Sequence, residues 1–341
     1  MKKILAVLLI GLAAFNCSKG EATDPEGTAQ GGLMVFTAGS PVTTRAYFPG
    51  SVGTMYWDSY DNLGVYACKD GVLQASDFCA ISSSCAGTNE GKFTPKNILY
   101  TSKWADATEA EYTFYAYYPQ VSAPIATYTD GKVHLNVPAV QTGEFGRYHI
   151  CCSKPVTMTG ASIASNKMVR FDFAPASSMV RLRLVVDAQS DVAETYIQQV
   201  SMTAEGAPLT GDCMLTLADG TLAPVSVSAD RNTVTINLLT PVKVTQTASE
   251  NPYLDFVILP GTPTGSISFS AITSTNVRLT MKEKSVPASG FAAGTRYAID
   301  RAITMKVNSD DVADGFYVDG GNAWESQVDN DGAYTDGGFA W

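Results

Sequence analysis

The sequence of 341 residues contains few of the side chains that enzymes and metal sites most often use. Its only histidines are His134 and His149, which excludes a zinc site built on three histidines. None of its cysteines forms a C-x-x-C pair, so zinc or thioredoxin-like chemistry is not expected. We therefore predict no catalytic residue, no metal site and no cofactor.

Cys17 is the residue whose position indicates a chemical modification. It follows closely on an uninterrupted apolar run from Ile4 to Ala14, and Lys2 and Lys3 precede that run. This run is too short for a membrane-spanning helix, which needs about 20 residues, and is typical of a secretory signal. A cysteine at this point resembles a bacterial lipoprotein site, so Cys17 is interpreted as lipidated. An ordinary signal peptide with an incidental cysteine is the alternative.

The other six cysteines allow two interpretations. An exported chain enters an oxidising compartment, in which Cys79 and Cys85 could close a small loop. In the second interpretation the thiols are buried and act as small apolar side chains. The spacing does not decide, because six cysteines can pair in many ways. They are Cys68, Cys79, Cys85, Cys151, Cys152 and Cys213.

The acidic residues are concentrated at the C-terminal end. The chain has 23 Lys and Arg against 33 Asp and Glu, and its net charge of −10 argues against nucleic-acid binding. Residues 308–341 contain seven Asp and one Glu without Lys or Arg, so they alone carry −8. This tail is also rich in Gly and aromatic residues. Its pairs Phe316/Val318 and Phe339/Trp341 have the i, i+2 spacing of one face of a strand.

Motifs for nucleotide binding, serine hydrolysis and zinc proteolysis are absent from the sequence. Residues 329–332 with Asp336 faintly resemble a calcium loop, but the third alternating ligand and the final Glu are missing. A surface hydrolase is therefore the least favoured class of function.

The elements that must position these residues are β-strands. Alternating apolar and polar residues in Met179–Val186, Thr233–Leu239 and Ser266–Thr273 are typical of half-buried strands. Further strands are predicted at 33–37, 63–67, 112–118, 132–137, 168–173, 196–203, 253–259 and 297–307. Because no long amphipathic helix is found, the pattern favours an all-β fold.

The chain has room for two β-sandwich domains, since one such domain takes about 100 residues. A stretch of small residues before Asn166 marks the predicted boundary. The predicted organisation is a signal peptide at 1–16, a lipidated leader at 17–31, sandwiches at 32–165 and 166–307, and the acidic aromatic tail at 308–341.

Several segments together resemble the fimbrillin family, the type V pilins of Gram-negative oral and gut anaerobes. Tyr112–Pro119 matches the family's F-x-A-Y-Y-P strand, and Pro138–Thr142 is similar to its P-x-x-Q-T element. Other similar segments are 43–46, 57–66, 171–182, 258–261 and 293–297. The resemblance implies two tandem Greek-key (transthyretin-like) β-sandwich domains with an extended C-terminal tail.

The resemblance also implies a route of assembly. In the family a lipid-anchored precursor reaches the outer membrane, and an Arg-directed protease then cuts the loop after the first strand. Carried over to this chain, Cys17 is lipidated, the cut follows Arg45, and Ala46 becomes the new N-terminus. The removable first strand contains Leu33, Met34, Val35 and Phe36. The candidate donor-strand contacts with another subunit are Phe316, Val318, Trp324, Phe339 and Trp341.

The leading hypothesis is thus a structural or accessory subunit of a surface pilus, with other pilus subunits, identical or accessory, as partners. Its expected location is the outer membrane as a lipid-anchored precursor, and then the surface fimbrium. The alternative is a non-polymerising adhesin or glycan-binding lipoprotein of the same fold, which would use Trp324 and Trp341 on a host protein or glycan. Neither hypothesis involves nucleic acid.

Overall fold

The structure is a computed structural model. It describes residues 34–39, 57–96, 109–120, 125–143, 145–226, 228, 231–281, 283–287 and 289–305, and the backbone of 316–318, 325–328 and 335–340. The positions predicted for lipidation and cleavage, Cys17, Arg45 and Ala46, lie outside these residues.

The described residues form 24 β-strands and one short α-helix, α1, at Gly160–Asn166. The strands of the first half are β1 Val35–Gly39, β2 Asn62–Lys69, β3 Val72–Ile81, β4 Glu90–Pro95, β5 Glu111–Tyr118, β6 Tyr128–Thr129, β7 Lys132–Val137, β8 Val140–Gln141, β9 Cys151–Ser153 and β10 Val156–Thr159. Those of the second half are β11 Met168–Pro175, β12 Ser178–Val186, β13 Glu194–Ala204, β14 Gly211–Thr216, β15 Leu222–Pro224, β16 Thr233–Thr245, β17 Tyr253–Ile258, β18 Ser266–Thr273, β19 Arg278–Met281, β20 Lys284–Ser285, β21 Arg296–Ile303, β22 Phe316–Val318, β23 Glu325–Val328 and β24 Thr335–Ala340.

The first sheet has eight strands in the order β10-β5-β2-β3-β4-β1-β11-β9. Strand β9 pairs with both β11 and β5, so the sheet closes on itself. Alternate residues of its strands point inward and form one apolar core, in which Trp57, Tyr118, Phe36, Phe93, Phe114 and Phe171 are large and almost completely buried. Closure of the sheet pairs strand edges that would otherwise be exposed.

A second unit consists of two facing sheets. One has the order β17-β12-β21-β23-β24, and the other has the order β22-β19-β18-β13-β16-β8 with β20 beside β18. The inward residues of β12, namely Val180, Leu182, Leu184 and Val186, pack in one core with residues of the other sheet such as Met202. This arrangement is that of a β-sandwich.

A small sheet of four strands, β15-β14-β7-β6, connects the two units. Its apolar side contacts Tyr66 and Tyr117 of the closed sheet and Leu259, just after β17. Strands β6 and β7 are joined by Asp130 and Gly131, which both have positive φ, 48° and 78°. Two such residues form the tight turn that suits hairpin strands, and glycine adopts this conformation without steric cost.

The structure confirms the all-β fold and the sandwich arrangement. Each strand predicted from the alternation of residues is present, with ends shifted by a few residues. The boundary before Asn166 and the tandem Greek-key detail stay predictions. Strand β11 lies after that boundary in the sequence but pairs with β1 and β9 of the first sheet.

The six described cysteines are all buried and have free thiols. The interpretation as small apolar side chains is therefore confirmed, and Cys79 and Cys85 do not close a loop. Burial raises the pKa of the Cys152 and Cys213 thiols to about 12, because a thiolate is poorly solvated inside the protein.

We predict that none of these six thiols reacts with a small aromatic disulfide reagent at pH 8 while the chain is folded. All six should react after unfolding in guanidinium without any reductant, because burial is what protects them. Absorbance of the released thiolate measures both states. In a chain that carries Cys17→Ser, fewer than six thiols after unfolding would show that disulfides exist.

Candidate functional site

The candidate site is the position of β1 inside the closed sheet. Strand β1 lies antiparallel to β4 on one side and parallel to β11 on the other, with Phe36 opposite Phe93 and opposite Val169. An additional backbone hydrogen bond joins the Val35 N–H to the Lys167 carbonyl over 2.8 Å. The first described strand is thus an interior strand that has backbone partners on both sides.

The side chains of β1 and the residue before it alternate between the core and the outer face. Met34, Phe36 and Ala38 are completely buried, whereas Val35 and Thr37 are only partly buried. The Phe36 ring stacks on Phe171 at a centroid distance of 5.6 Å and lies 6.2 Å from Phe114. Burial of a Phe side chain contributes about 1.5–3 kcal/mol, so Phe36 is the main apolar anchor of this strand.

The frame around β1 is anchored independently of it. Trp57 is the first described residue after the connection from β1, and its ring packs edge-on against Phe93 at 5.0 Å and Tyr118 at 5.6 Å. Tyr118 donates hydrogen bonds to the Asp61 carboxylate and to the Gly146 carbonyl. Cleavage of the 40–56 connection would therefore leave β1 held by non-covalent contacts alone.

Residues of the sequence motifs pack in the core or hold strands together. Tyr117 and Tyr118 are buried, as expected of core aromatics rather than of a surface that binds a ligand. Gln141 of β8 joins the two sheets of the second unit, because its side chain donates to the Val257 carbonyl of β17 over 2.7 Å and accepts from the Val257 N–H over 3.0 Å. The sequence did not single out Phe93 as a neighbour of β1, although its position in a short alternating stretch, EGKFTP, was a usable signal.

The described strands of the tail, β22, β23 and β24, pair with the C-terminal sandwich. Strand β22 pairs parallel with β19, and β23 pairs antiparallel with β21 and then with β24. Of the predicted donor contacts, Phe316, Val318 and Phe339 fall within these strands, whose backbone alone is described. Trp324, Trp341 and the first-strand residue Leu33 lie outside the described residues. In this single chain the three described strands of the tail therefore extend the sheets of the C-terminal sandwich and do not occupy the position of β1.

His149 lies buried between the two units. Its Nδ1 is 2.9 Å from the Ser177 hydroxyl. Burial lowers its pKa to about 4. The positive charge of Arg296 lowers this pKa further, whereas the negative charge of Asp255 raises it. Among the residues that the structure describes, no group of three or more His, Cys, Asp or Glu could hold a metal ion. No helix in that part of the chain is long and apolar enough to span a membrane.

The family model for fimbrillin-like proteins matches residues 43–313 of this chain. The chain belongs to the fimbrillin-like family. The matched residues begin four positions after the end of β1 and include Arg45. Members of this family are structural and adhesive proteins, so a role as a pilus subunit or adhesin at the cell surface is supported.

Solved structures agree with this fimbrillin-like fold. A candidate cell adhesion protein of Bacteroides uniformis has 16% identity and a TM-score of 0.52, and the match covers 80% of this chain and 93% of the other. A second candidate cell adhesion protein, from Bacteroides ovatus, has 14% identity and a TM-score of 0.52 over 80% of this chain and 92% of the other. At this identity the likeness shows the fold alone. No curated protein matches the sequence.

We predict that Phe36→Ala lowers the free energy of unfolding by about 3–5 kcal/mol, because it leaves a cavity beside Phe171 and Phe114. Chemical denaturation of the purified chain measures this. Val72→Ala is the matched control, since Val72 is an exposed strand residue and its loss should cost less than about 0.5 kcal/mol. Equal effects of the two substitutions would contradict the anchoring role of Phe36.

We also predict that His149 makes the fold less stable in acid. Its folded pKa lies below the unfolded value, so stability is complete above about pH 6.5 and decreases by roughly 3 kcal/mol as the pH falls to 4. Buried Asp61 contributes to the pH dependence of stability in the opposite direction, because burial raises its pKa to about 6.

The measured quantity is therefore the difference between the wild type and His149→Gln, a variant that keeps a hydrogen-bonding group near Ser177. This variant should flatten the decrease of stability between pH 6.5 and 4. His134→Gln, at an exposed strand position, should not change the profile. An unchanged profile in His149→Gln would refute the assignment.

Proposed function

We propose that this chain is a structural or accessory subunit of a type V pilus, assembled by protease-triggered strand exchange and used in surface adhesion. The observation that carries the proposal is the interior position of β1, the first described strand. A strand that is N-terminal, central and joined to the rest by one connection can be removed without disturbing the order of the remaining strands.

The connection controls how firmly β1 is held. While it is intact, β1 rebinds its own position at an effective concentration of roughly millimolar or more. A cut after Arg45 leaves Ala46 as the N-terminus and removes that advantage. The separated strand then stays bound only by its own hydrogen bonds and apolar contacts, and another strand can compete with it.

Loss of β1 would open a groove with specific requirements. The facing edges of β4 and β11 would present unpaired N–H and C=O groups, and Phe114 and Phe171 would be exposed to water. An incoming strand with alternating apolar residues satisfies both needs at once. We assign this role to the tail of another subunit, with Phe316, Val318, Trp324, Phe339 and Trp341 as the candidate contacts.

The intact precursor is protected from premature assembly because β1 fills the groove. In the proposal, the signal peptide directs export and the lipid on Cys17 holds the precursor in the outer membrane until cleavage. The partners are then other pilus subunits, and the assembled fimbrium presents the adhesive surface to a host protein or glycan.

We predict that an Arg-specific protease cuts the purified precursor after Arg45 and that ladders resistant to SDS then form. N-terminal sequencing should give Ala46 in the cut chain. Arg45→Ala should stop both the cut and the ladders, whereas Arg278→Ala, at another exposed arginine, should leave both unchanged.

Deletion of residues 308–341 should abolish the ladders without affecting the cut. Ladders that persist in this deletion would exclude the tail as the donor. A cut after Arg45 in the wild type without ladders would exclude assembly by strand exchange.

A further inference from the structure

The position of β1 sets strict size requirements on any strand that replaces it. The inward positions are those of Met34, Phe36 and Ala38, all completely buried. The third position is narrow, because Ala38 lies opposite Gly91 of β4 and Phe171 of β11. Gly91 itself has no room for a side chain, because an added Cβ would come within 2.8 Å of the Trp57 Nε1 and 2.5 Å of the Phe93 ring. A replacement strand therefore needs a set pattern at its three inward positions, which are two residues apart. The first two must be apolar and the third must be very small.

On the outward side of β1 the neighbouring strands place cations at one position, that of Thr37, and carboxylates of Glu90 and Asp172 at the next, that of Gly39. Thr37 is opposite Lys92 of β4 and Arg170 of β11 in the register of the sheet. Arg170 also reaches Glu90 over 3.5 Å, but both side chains are about half exposed, so this ion pair holds Arg170 only weakly. An acidic residue at the position of Thr37 would lie between two cationic side chains on neighbouring strands.

One segment of the acidic tail meets both requirements. We propose that residues 316–320, Phe-Tyr-Val-Asp-Gly, of a second copy of this chain enter the position of residues 34–38 in the direction of β1. Phe316 and Val318 then take the inward positions of Met34 and Phe36, and Gly320 takes the narrow position of Ala38. Asp319 takes the position of Thr37, between Lys92 and Arg170. This inference rests on the proposed strand exchange.

The other apolar parts of the tail do not fit the same frame. Aligned on Phe36, Phe339 would place Trp341 at the narrow position of Ala38. Trp324 at the first inward position would bring the polar Ser326 to the position of Phe36. These aromatic residues would therefore contact the partner outside the groove.

The single chain already binds the same segment elsewhere. Phe316–Val318 forms β22, which pairs with Leu279–Met281 at an edge of its own C-terminal sandwich. Among the described residues, three residue pairs join it to β19, whereas β1 has five pairs with β11 and four with β4. Transfer into an open groove would therefore gain backbone hydrogen bonds, which gives the exchange its direction.

A charge-reversal experiment on the full chain tests the register. After cleavage at Arg45, Asp319→Lys should slow ladder formation at least tenfold, because like charges that face each other across an interface are strongly disfavoured. The double variant Lys92→Glu with Arg170→Glu should be equally slow. The three changes in one chain should restore most of the rate, because opposite charges face each other again. Asp331→Lys, which makes the same change elsewhere in the tail, should assemble like the wild type.

Two variants test the inward positions independently of charge. Gly320→Val should block ladders, whereas Gly321→Val should not. Val318→Phe should give ladders that withstand higher temperature in SDS, because Phe fills the space that Phe36 occupied.

The result that overturns the register is wild-type assembly by Asp319→Lys and Gly320→Val, or the absence of rescue in the triple variant. A wild-type chain that is cut but forms no ladders would instead overturn the proposed function itself. The two failures are therefore distinguishable in the same gel.

Discussion

The structure depends on one constraint, which is that the first sheet is closed only while β1 is present. Strand β1 supplies hydrogen-bonding partners to β4 and to β11, and its Phe36 fills the space between Phe114 and Phe171. Unpaired backbone groups in an apolar groove are costly, so an occupant of this position is required at all times. In the proposed assembly, a strand of another subunit replaces β1 at this position.

The remaining molecule is built to keep its shape around that position. Trp57 packs edge-on against Tyr118 in the core of the closed sheet, and Gln141 holds the backbone of β17. The small sheet β15-β14-β7-β6 covers the apolar surface between the units. None of these contacts involves β1. One strand can therefore replace another in the groove while the surrounding strands keep their positions. A preorganised frame also lowers the entropic cost of binding a new strand.

The distribution of charge has a related meaning. Most of the net negative charge lies in the tail, which is poor in β-forming residues because of its many Gly and Asp. A single Asp is nevertheless favourable at the position of Thr37, because Lys92 and Arg170 lie opposite that position on the two neighbouring strands. Glycine is favourable too where the groove is narrowest. Residues that weaken an isolated strand are thus suited to this particular position.

Much of the local structure was predictable from the sequence, and most of the tertiary arrangement was not. The alternation in segments such as Met179–Val186 determined that these residues form strands and which side chains face the core, because a strand repeats every two residues. The burial of Met34 and Phe36 on one face of the first strand follows the same rule. Several motifs together, among them Tyr112–Pro119, indicated the family, and the family model that matches residues 43–313 confirms it.

The sequence could not show which strands are neighbours. Strand β1 pairs in parallel with β11, more than 120 residues away, and the stretch of small residues before Asn166 forms α1. Strand pairing depends on contacts between distant segments, and no local period records them. That the first strand is central, and that two cations flank Thr37, was therefore decided only when the whole sheet closed.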